Sequence, residues 1–241
     1  MAHWLMQTNQ LRGAWVLAFV AVILALHFIA DAQLSTAYFS LAALILLVGI
    51  VINAYHLAYK DELTQMPSRR ALKQKLASLG KRYSLAMVDI DHFKKLNDKY
   101  GHDTGDEVLK MLSAQLLLVE GGGQAYRYGG EEFTIVFPGK DASNAAVYLE
   151  ELRENISSKL FTVRNKLRCK SSANKKTKRS PNAKTLNVTV SIGVAEQQGS
   201  GRTTQDVMKL ADNALYKAKK NGRNRVEVSN QINLISEICV K

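Results

Sequence analysis

The sequence of 241 residues is short of acidic residues and of cysteine. It has 21 aspartates and glutamates against 33 lysines and arginines, which gives a formal net charge of +12. This balance favours anionic partners: nucleotides, nucleic acid or the negative cytoplasmic face of a membrane. The two cysteines, Cys169 and Cys239, have no metal-binding or redox spacing, so nothing indicates a cysteine-based centre, and a reducing compartment fits them. No internal repeat is present.

Long apolar runs are nearly confined to the first sixty residues. One covers Ala14–Ala30 and a longer one covers Tyr38–Tyr59, separated by the segment DAQLSTA, which has no Lys or Arg. Lys60, Arg69 and Arg70 follow the second run, so the positive-inside rule predicts an external loop with both ends in the cytoplasm. Residues 1–59 are therefore predicted to be a membrane region with transmembrane helices at about 14–30 and 38–59. This predicts a multi-pass protein of the inner (plasma) membrane, with the lipid bilayer as a partner.

Two other interpretations apply to the apolar runs. Ala30-Asp31-Ala32 resembles a signal-peptide cleavage site. Against a signal peptide, the segment before the first run is long, and Arg12 is its one net charge. Even after cleavage the second run would cross the membrane, so the downstream domain stays cytoplasmic. A hairpin buried in a soluble core is the remaining alternative.

Residues 60–228 have the pattern of an α/β domain, and residues 229–241 form a tail without a clear role. We expect helices over Lys60–Leu79, over Gly105–Val119, from a cap at Asp141 or Ser143 to about Leu160, and from a cap at Thr203 or Thr204 to Gly222. We expect strands at Tyr83–Asp89, Ala125–Tyr128, the segment ending at Phe137, Phe161–Cys169, Leu186–Ala195 and Arg225–Val228.

Two stretches carry candidate chemistry. RYGGEEF places two glutamates, Glu131 and Glu132, at a tight turn in a predicted β-hairpin, and MVDIDHF places Asp89 and Asp91 at the end of a buried strand. The element order βαββαβ is that of a palm-like sheet, in which the end of the first strand lies beside the hairpin. Asp89 and the two glutamates would then meet and offer the hard oxygen ligands that Mg²⁺ prefers. Asp91 alone could simply cap the following helix.

The chain resembles the GG(D/E)EF-type diguanylate cyclases, which condense two GTP into cyclic di-GMP. The resemblance covers roughly Asp61 to Val226 and rests on five ordered blocks: DELTQMPSRRAL, VDIDHFKKLNDKYGHDTGDEVL, RYGGEEF, VTVSIGVA and ADNALYKAKKNGRNR. It implies a palm-like nucleotidyl cyclase domain with a central, mostly antiparallel sheet and packed helices, preceded here by a two-helix transmembrane hairpin. It also implies a homodimer, because each domain holds one GTP.

The resemblance implies a role for each matching residue. Magnesium, or manganese in its place, would be held by Asp89, the main-chain carbonyl of Ile90 and both turn glutamates. Deprotonation of the ribose 3′-hydroxyl is assigned jointly to Glu131 and Glu132. The substrate-binding residues implied are Asn97 and Asp106 for guanine, Phe93, Lys94, Lys219 and Arg223 for the phosphates, and His102 close by. The alternative from a different class is a catalytically inactive nucleotide-binding or interaction module at the membrane.

Three departures and additions accompany the match. The family usually has Gly, Leu and Asn where this chain has Gln65, Met66 and Ser68. This segment orients the helix that leads into the domain, so the departures bear on that orientation more than on catalysis. The positions of a product-binding R-x-x-D motif hold Glu120 and Gly123, which predicts weak feedback by the product. A basic insert, 164–184, suggests a solvated loop or a membrane-surface contact. No nucleic-acid partner is expected, because the insert lacks interleaved aromatics.

Overall fold

A computed structural model describes residues 2–162, 185–197 and 203–229, with the side chains of 2–12, 14 and 162 excepted. The chain divides into two compact units, Met1–Lys60 and Asp61–Lys241. The predicted strand segment 163–169, the basic insert 164–184 and the tail from residue 230 lie outside the described residues.

The first unit is a helical hairpin of α1 (Ala2–His27) and α2 (Ala32–Tyr59). The predicted seven-residue loop is wrong: α2 begins at Ala32, because the Asp31 carboxylate caps it by accepting hydrogen bonds from the main-chain N–H groups of Gln33 and Leu34. Among the described residues, α2 is the one helix long and apolar enough to cross a membrane, and the apolar part of α1, Trp15–His27, is shorter. The helical hairpin is observed, but a transmembrane pair is not shown.

Small residues form the contact face of this hairpin. The side chains buried there are Ala18, Ala21, Ala25, Ser35 and Ala42. Large apolar side chains point outward instead, among them Phe19, Ile23, Leu44, Leu47 and Ile50. Small residues at a helix–helix contact allow close approach of the backbones, as in membrane helix pairs.

The segment after α2 corrects the prediction of a helix from Lys60. Residues 61–68 form turns, and α3 covers only Arg69–Ser78. The carboxylate of Asp61 accepts hydrogen bonds from the main-chain N–H and the hydroxyl of Thr64, and Gln65 takes a left-handed conformation with φ +59°. A side chain that bonds its own backbone in this way competes with helix formation.

The second unit has a five-stranded sheet in the order β2-β3-β1-β6-β7, which confirms the palm-like α/β fold. The central strand β1 runs antiparallel to β3 and β6, and β7 runs parallel to β6. The bounds of its strands are β1 Tyr83–Ile90, β2 Gln124–Gly129, β3 Glu132–Pro138, β6 Val190–Gln197 and β7 Val226–Val228. The predicted strand Leu186–Ala195 is two strands, because β5 (Thr185–Asn187) pairs with β4 (Leu160–Thr162) in a separate small sheet.

Helices cover both faces of the sheet. Their bounds are α4 Phe93–Tyr100, α5 His102–Leu116, α6 Ala142–Ser158 and α7 Thr204–Lys220. Alternate residues of β1 enter two different cores: Val88 packs with residues of α5 and α6, and Leu85 packs with residues of α3 and α7. All eight residues of β1 are buried for this reason. Each cap prediction named two residues, and the structure selects the first of each pair: Asp141 caps α6 and Thr203 caps α7.

One glycine sets the distance between α7 and the sheet. A Cβ atom added at Gly193 in β6 would lie 2.0 Å from the main-chain nitrogen of Leu215 and 2.3 Å from the carbonyl oxygen of Ala211. The backbone of α7 therefore rests directly on β6. This close packing fixes where the C-terminal end of α7, which carries Lys219, lies relative to the end of β1.

Candidate active site

The candidate site lies where β1 ends beside the β2–β3 hairpin. The antiparallel register places Asp89 opposite Glu132, as the palm-like arrangement predicts. Glu131 stands in the turn itself, directly after Gly130, which has φ +55°. A left-handed residue is most easily a glycine. The Gly-Gly pair therefore allows the chain to reverse and to present two successive glutamates where β1 ends and β3 begins.

The turn is braced by Arg127. One guanidinium nitrogen, Nη2, donates to the carbonyl oxygen of Gly130 at 2.8 Å, and the other, Nη1, contacts the Asp61 carboxylate at 2.6 Å. The side chain of Arg127 is 11% exposed and that of Asp61 is 25% exposed, so this ion pair is largely shielded from water. The DELT segment is thereby linked to the glutamate turn.

The three carboxylates share an excess of negative charge. Burial raises the pKa of Asp89, while its hydrogen bond and ion pair with Lys219 oppose that rise. Loss of water contact also raises the pKa of Glu131 and of Glu132, and the charge of Asp89 raises both pKa values further. Asp212 on α7 adds to the rise in the pKa of Glu132. A cation bound at these strand ends would relieve the repulsion among the three carboxylates.

One such cation belongs to the chain itself. The ammonium nitrogen of Lys219 lies 2.8 Å from Oδ1 of Asp89, whose side chain is 6% exposed. Within the described parts of the chain, no three acidic, histidine or cysteine side chains are grouped so as to hold a metal ion. The donor chemistry fits a hard divalent cation nevertheless, since carboxylate oxygens from two separate strands converge with partly unbalanced charge.

A cleft of about 270 Å³ opens beside these carboxylates. The predicted residues Phe93, Lys94, Lys219 and Arg223 line it together with Asp89, Ile90 and Glu131. The first turn of α4 faces the cleft, and main-chain N–H groups at a helix N-terminus favour bound phosphate. The cleft thus combines clustered carboxylates with several cations, which suits a ligand that carries both phosphates and a metal ion.

Three of the predicted substrate-binding residues do not line this cleft. They are Asn97 on α4 and Asp106 on α5, which are predicted to read guanine, and His102, which is predicted to lie close by. The Oδ1 atom of Asn97 is buried without a hydrogen-bond partner. A Cβ atom added at Gly105 would lie 1.9 Å from that oxygen, so the glycine leaves the space that the Asn97 amide occupies. His102 and Asp106 are exposed.

Sequence reasoning missed several residues of the site. His92, Lys95 and Asp98 also line the cleft, as does Asp91. All four belong to the quoted block VDIDHFKKLNDKYGHDTGDEVL, so the signal was present. The alternative that Asp91 caps the next helix is wrong: His92 occupies the N-cap position of α4, and the Asp91 carboxylate bonds elsewhere.

The positions of the product-binding motif are also resolved. A Cβ atom added at Gly123 would lie 2.8 Å from the ring of Phe137, and one added at Gly121 would lie 2.5 Å from the ring of Tyr148. Gly121 and Gly123 are therefore packed against aromatic rings, and Gly123 has no room for an aspartate without rearrangement.

The comparisons with known proteins agree with this geometry. The family described as "Diguanylate cyclase, GGDEF domain" matches residues 58–172 and 164–225. The chain is 37% identical over 182 residues to the response regulator PleD of Caulobacter vibrioides, covering 72% of this chain and 37% of PleD. It is 36% identical over 170 residues to the diguanylate cyclase VdcA of Vibrio cholerae, covering 69% of this chain and 45% of VdcA. The chain therefore spans less than half the length of these curated relatives.

A solved structure gives the same result for the fold. The coiled coil and GGDEF domain of DgcB from Caulobacter crescentus, in complex with c-di-GMP, is similar with a TM-score of 0.67 and 34% identity. The match covers 83% of this chain and 98% of that one.

Proposed function

The chain belongs to the GGDEF family, and we propose that it is a diguanylate cyclase that condenses two GTP into cyclic di-GMP and two pyrophosphates. The observation that carries the proposal is the meeting of Asp89 and Glu132 across the β1–β3 ladder, with Glu131 in the adjoining turn, beside a cation-lined cleft. Carboxylates that repel one another are costly to keep together unless a cation compensates them. This arrangement suits metal-assisted phosphoryl transfer better than a purely structural role.

The proposed cofactor is Mg²⁺, with Mn²⁺ as a substitute. Asp89, the main-chain carbonyl of Ile90, Glu131 and Glu132 would hold it. Bound there, the metal would polarise the α-phosphate and neutralise charge on the departing pyrophosphate. Lys219, which now pairs with Asp89, would be free to contact phosphate once that carboxylate has another cation.

The chain's own residues would bind and orient the substrate. The N-terminal turn of α4, with Phe93 and Lys94, would receive the phosphates, and Lys219 and Arg223 would pair with the triphosphate. Asn97, with its buried unpaired amide oxygen, and Asp106 would read the guanine edge, and His102 lies at the start of the same helix as Asp106. A buried acceptor without a partner is unfavourable until a ligand supplies a donor.

Each step of the proposed reaction is a displacement at phosphorus. The 3′-hydroxyl oxygen of one GTP forms a bond to the α-phosphorus of the other, and the bond from that phosphorus to the pyrophosphate oxygen breaks. The hydroxyl proton passes to the turn glutamates, Glu131 or Glu132. Both carboxyls have pKa values raised toward neutrality by desolvation and by Asp89, which suits a proton acceptor. Two such steps close the ring, so two domains must face each other in a homodimer.

We propose that residues 1–59 are a membrane region with two transmembrane helices, that residues 60–228 are the cyclase domain and that residues 229–241 are a tail. The 28 residues of α2 span about 42 Å at 1.5 Å per residue, which exceeds a hydrocarbon core of about 30 Å. The outward apolar side chains of both helices would be unfavourable in water. The proposed location is the inner membrane, multi-pass, with the cyclase domain in the cytoplasm.

The test uses the full chain in lipid nanodiscs with GTP and Mg²⁺. We expect cyclic di-GMP and pyrophosphate by chromatography, and no such product from ATP. Glu107→Gln serves as the control for loss of a carboxylate outside the site. It removes an exposed carboxylate of α5 that pairs only with Lys110 in the described contacts, and it should leave turnover unchanged. Binding of GTP without turnover would instead support the inactive-module alternative. Equal use of ATP and GTP would contradict the guanine-reading assignment of Asn97 and Asp106.

A further inference from the structure

Asp91 is a buried carboxylate that the proposed reaction does not use. It is 9% exposed. Its Oδ1 accepts a hydrogen bond from the Ser191 hydroxyl at 2.7 Å, and its Oδ2 accepts from the Thr189 hydroxyl at 2.8 Å and from the main-chain N–H of Asn224 at 3.0 Å. The carboxylate therefore joins three parts of the fold: the end of β1, the start of β6 and the loop after α7.

The loop after α7 has an unusual backbone. Arg223 has φ +62° and Asn224 has φ +45°, and Gly222 before them has φ +107°. Two successive left-handed residues that are not glycine are uncommon and are maintained only where surrounding contacts compensate for the strain. An unrestrained loop of this sequence would therefore populate other conformations.

Asn224 is held in this loop from two sides. Its main-chain N–H donates to Asp91, and its side-chain oxygen Oδ1 accepts from Nη1 of Arg153 at 3.0 Å. The Arg153 side chain is 12% exposed and is itself paired with Glu150 at 2.6 Å. The turn is thus fixed by two nearly buried charged groups on different elements, which implies that its conformation matters.

The residue directly before Asn224 is Arg223, which lines the cleft with Lys219, Lys94 and Asp89. We propose that Asp91 is a positioning residue: by holding Asn224 in the left-handed turn, it sets the Arg223 guanidinium at the triphosphate end of the cleft. This inference rests on the proposed function, because it assumes that the ligand of Arg223 is GTP. Asp91 also lines the cleft, but its carboxylate is directed to Ser191, Thr189 and Asn224, so in this scheme it contacts neither the metal nor the nucleotide.

The contact favours a carboxylate, because all three of its partners donate a hydrogen bond to it. Hydrogen bonds to a charged acceptor are stronger than those to a neutral one. An asparagine at this position has nearly the same shape, but it removes the negative charge that strengthens all three hydrogen bonds and leaves only one oxygen to accept them. Asp91→Asn is therefore the most specific perturbation, and Thr189→Val is a milder one that removes a single donor and leaves the carboxylate in place.

The experiment is a double-mutant cycle on the full chain in nanodiscs, with Asp91→Asn, Arg223→Met and the double variant. We expect Asp91→Asn to raise the KM for GTP about tenfold with little change in kcat. The double variant should be no worse than Arg223→Met alone, because Asp91 acts through Arg223. The matched control is Asp141→Asn, which removes a carboxylate that accepts a main-chain N–H at the start of α6, outside the cleft. It should leave the KM unchanged.

A second measurement does not depend on catalysis. Amide hydrogen exchange of the peptide that contains Asn224 should be faster in Asp91→Asn than in the wild type, without nucleotide. If Asp91→Asn does not fold, Thr189→Val should show smaller changes in the same direction in both measurements.

Three results would overturn the inference. They are unchanged exchange in the loop, effects of Asp91→Asn and Arg223→Met that multiply in the double variant, and a lower unfolding temperature with an unchanged KM. Failure of the proposed function looks different: the wild type itself would make no cyclic di-GMP, and the exchange measurement would still decide whether Asp91 holds the loop.

Discussion

Asp61→Asn tests how the DELT segment supports the glutamate turn from a distance of 66 residues in the sequence. The Asp61 carboxylate accepts hydrogen bonds from the main-chain N–H and hydroxyl of Thr64 at 2.8 and 2.6 Å and from Arg127 at 2.6 Å. Arg127 in turn donates to the carbonyl of Gly130. The amide of asparagine keeps the shape of the side chain and removes its charge.

The expected loss of stability follows from the burial of the pair. Removing one partner of a fully buried ion pair costs about 3–5 kcal/mol, and a hydrogen bond to a charged group contributes about 1.5–3 kcal/mol. The Asp61 side chain is 25% exposed and Arg127 keeps its bond to Gly130, so the free energy of unfolding should fall by about 2–3 kcal/mol. Typical domains have about 5–15 kcal/mol, so the variant remains folded.

The loss should depend on pH. Burial alone would raise the pKa of Asp61, but hydrogen bonds from Thr64 and Arg127 outweigh it and hold this pKa below the ordinary value of 3.8. A folded-state pKa below the unfolded one means that the stabilisation is fully present above the unfolded pKa. It is lost as the pH falls through the folded pKa. The difference between wild type and variant should therefore shrink below about pH 4.

The measurement is urea unfolding of the full chain in detergent micelles, followed by near-ultraviolet circular dichroism, together with GTP turnover at pH 7. Turnover should fall although the protein stays folded, because Arg127 no longer has the partner that orients it toward Gly130. The matched control is Glu62→Gln, which removes an exposed carboxylate at the neighbouring position and should change stability by less than about 0.5 kcal/mol. A loss for Asp61→Asn that is as small as the control's, or that is the same at pH 3 and pH 7, would refute the reasoning.

Three further predictions concern the turn, the packing of α7 and feedback. Glu131→Gln should lower GTP turnover by at least about a hundredfold without lowering the unfolding temperature, since it removes a proton acceptor whose charge is unfavourable there; near-normal turnover would show that the assignment is wrong. Gly193→Ala should destabilise by about 3 kcal/mol in urea unfolding, because the new methyl group meets the backbone of Leu215, whereas Gly80→Ala, where a Cβ atom meets nothing, should be neutral; equal effects would contradict the packing argument. Cyclic di-GMP should slow the enzyme only by competing with GTP, because Gly123 offers no side chain; a fall in the maximal rate that excess GTP does not restore would reveal another product site.

Local signals explain where sequence-based prediction of the fold succeeded. Asp141 and Thr203 cap α6 and α7 through hydrogen bonds to residues within the next three positions, so the information lies in a few adjacent residues. The strand Tyr83–Ile90 is mostly apolar and is buried along its whole length, because helices cover both of its faces. The predicted palm-like sheet follows from such elements and their order.

The errors arose where a tertiary contact competes with a local pattern. The apolar residues of Leu186–Ala195 read as one strand, but the chain leaves the small sheet at Asn187 and enters the large one at Val190. The helix predicted from Lys60 does not form over residues 61–68, because Asp61 bonds both to its own turn and to Arg127 on β2. A short stretch of the sequence shows neither the strand that pairs with β5 nor the arginine that binds Asp61.

By itself, the sequence determined the chemical inventory and the family: the strand-end Asp89, the paired glutamates of RYGGEEF, the basic residues at and after the end of α7, and the apolar first sixty residues. These depend on residue type and short spacing, which the chain carries without folding. Only the tertiary structure decided that Lys219 faces Asp89 and that Asp91, for which helix capping was one expectation, holds Asn224, which is 133 residues away. Strand register and the close packing of α7 on Gly193 determine such partners, because side chains far apart in the sequence meet only when whole elements pack against one another.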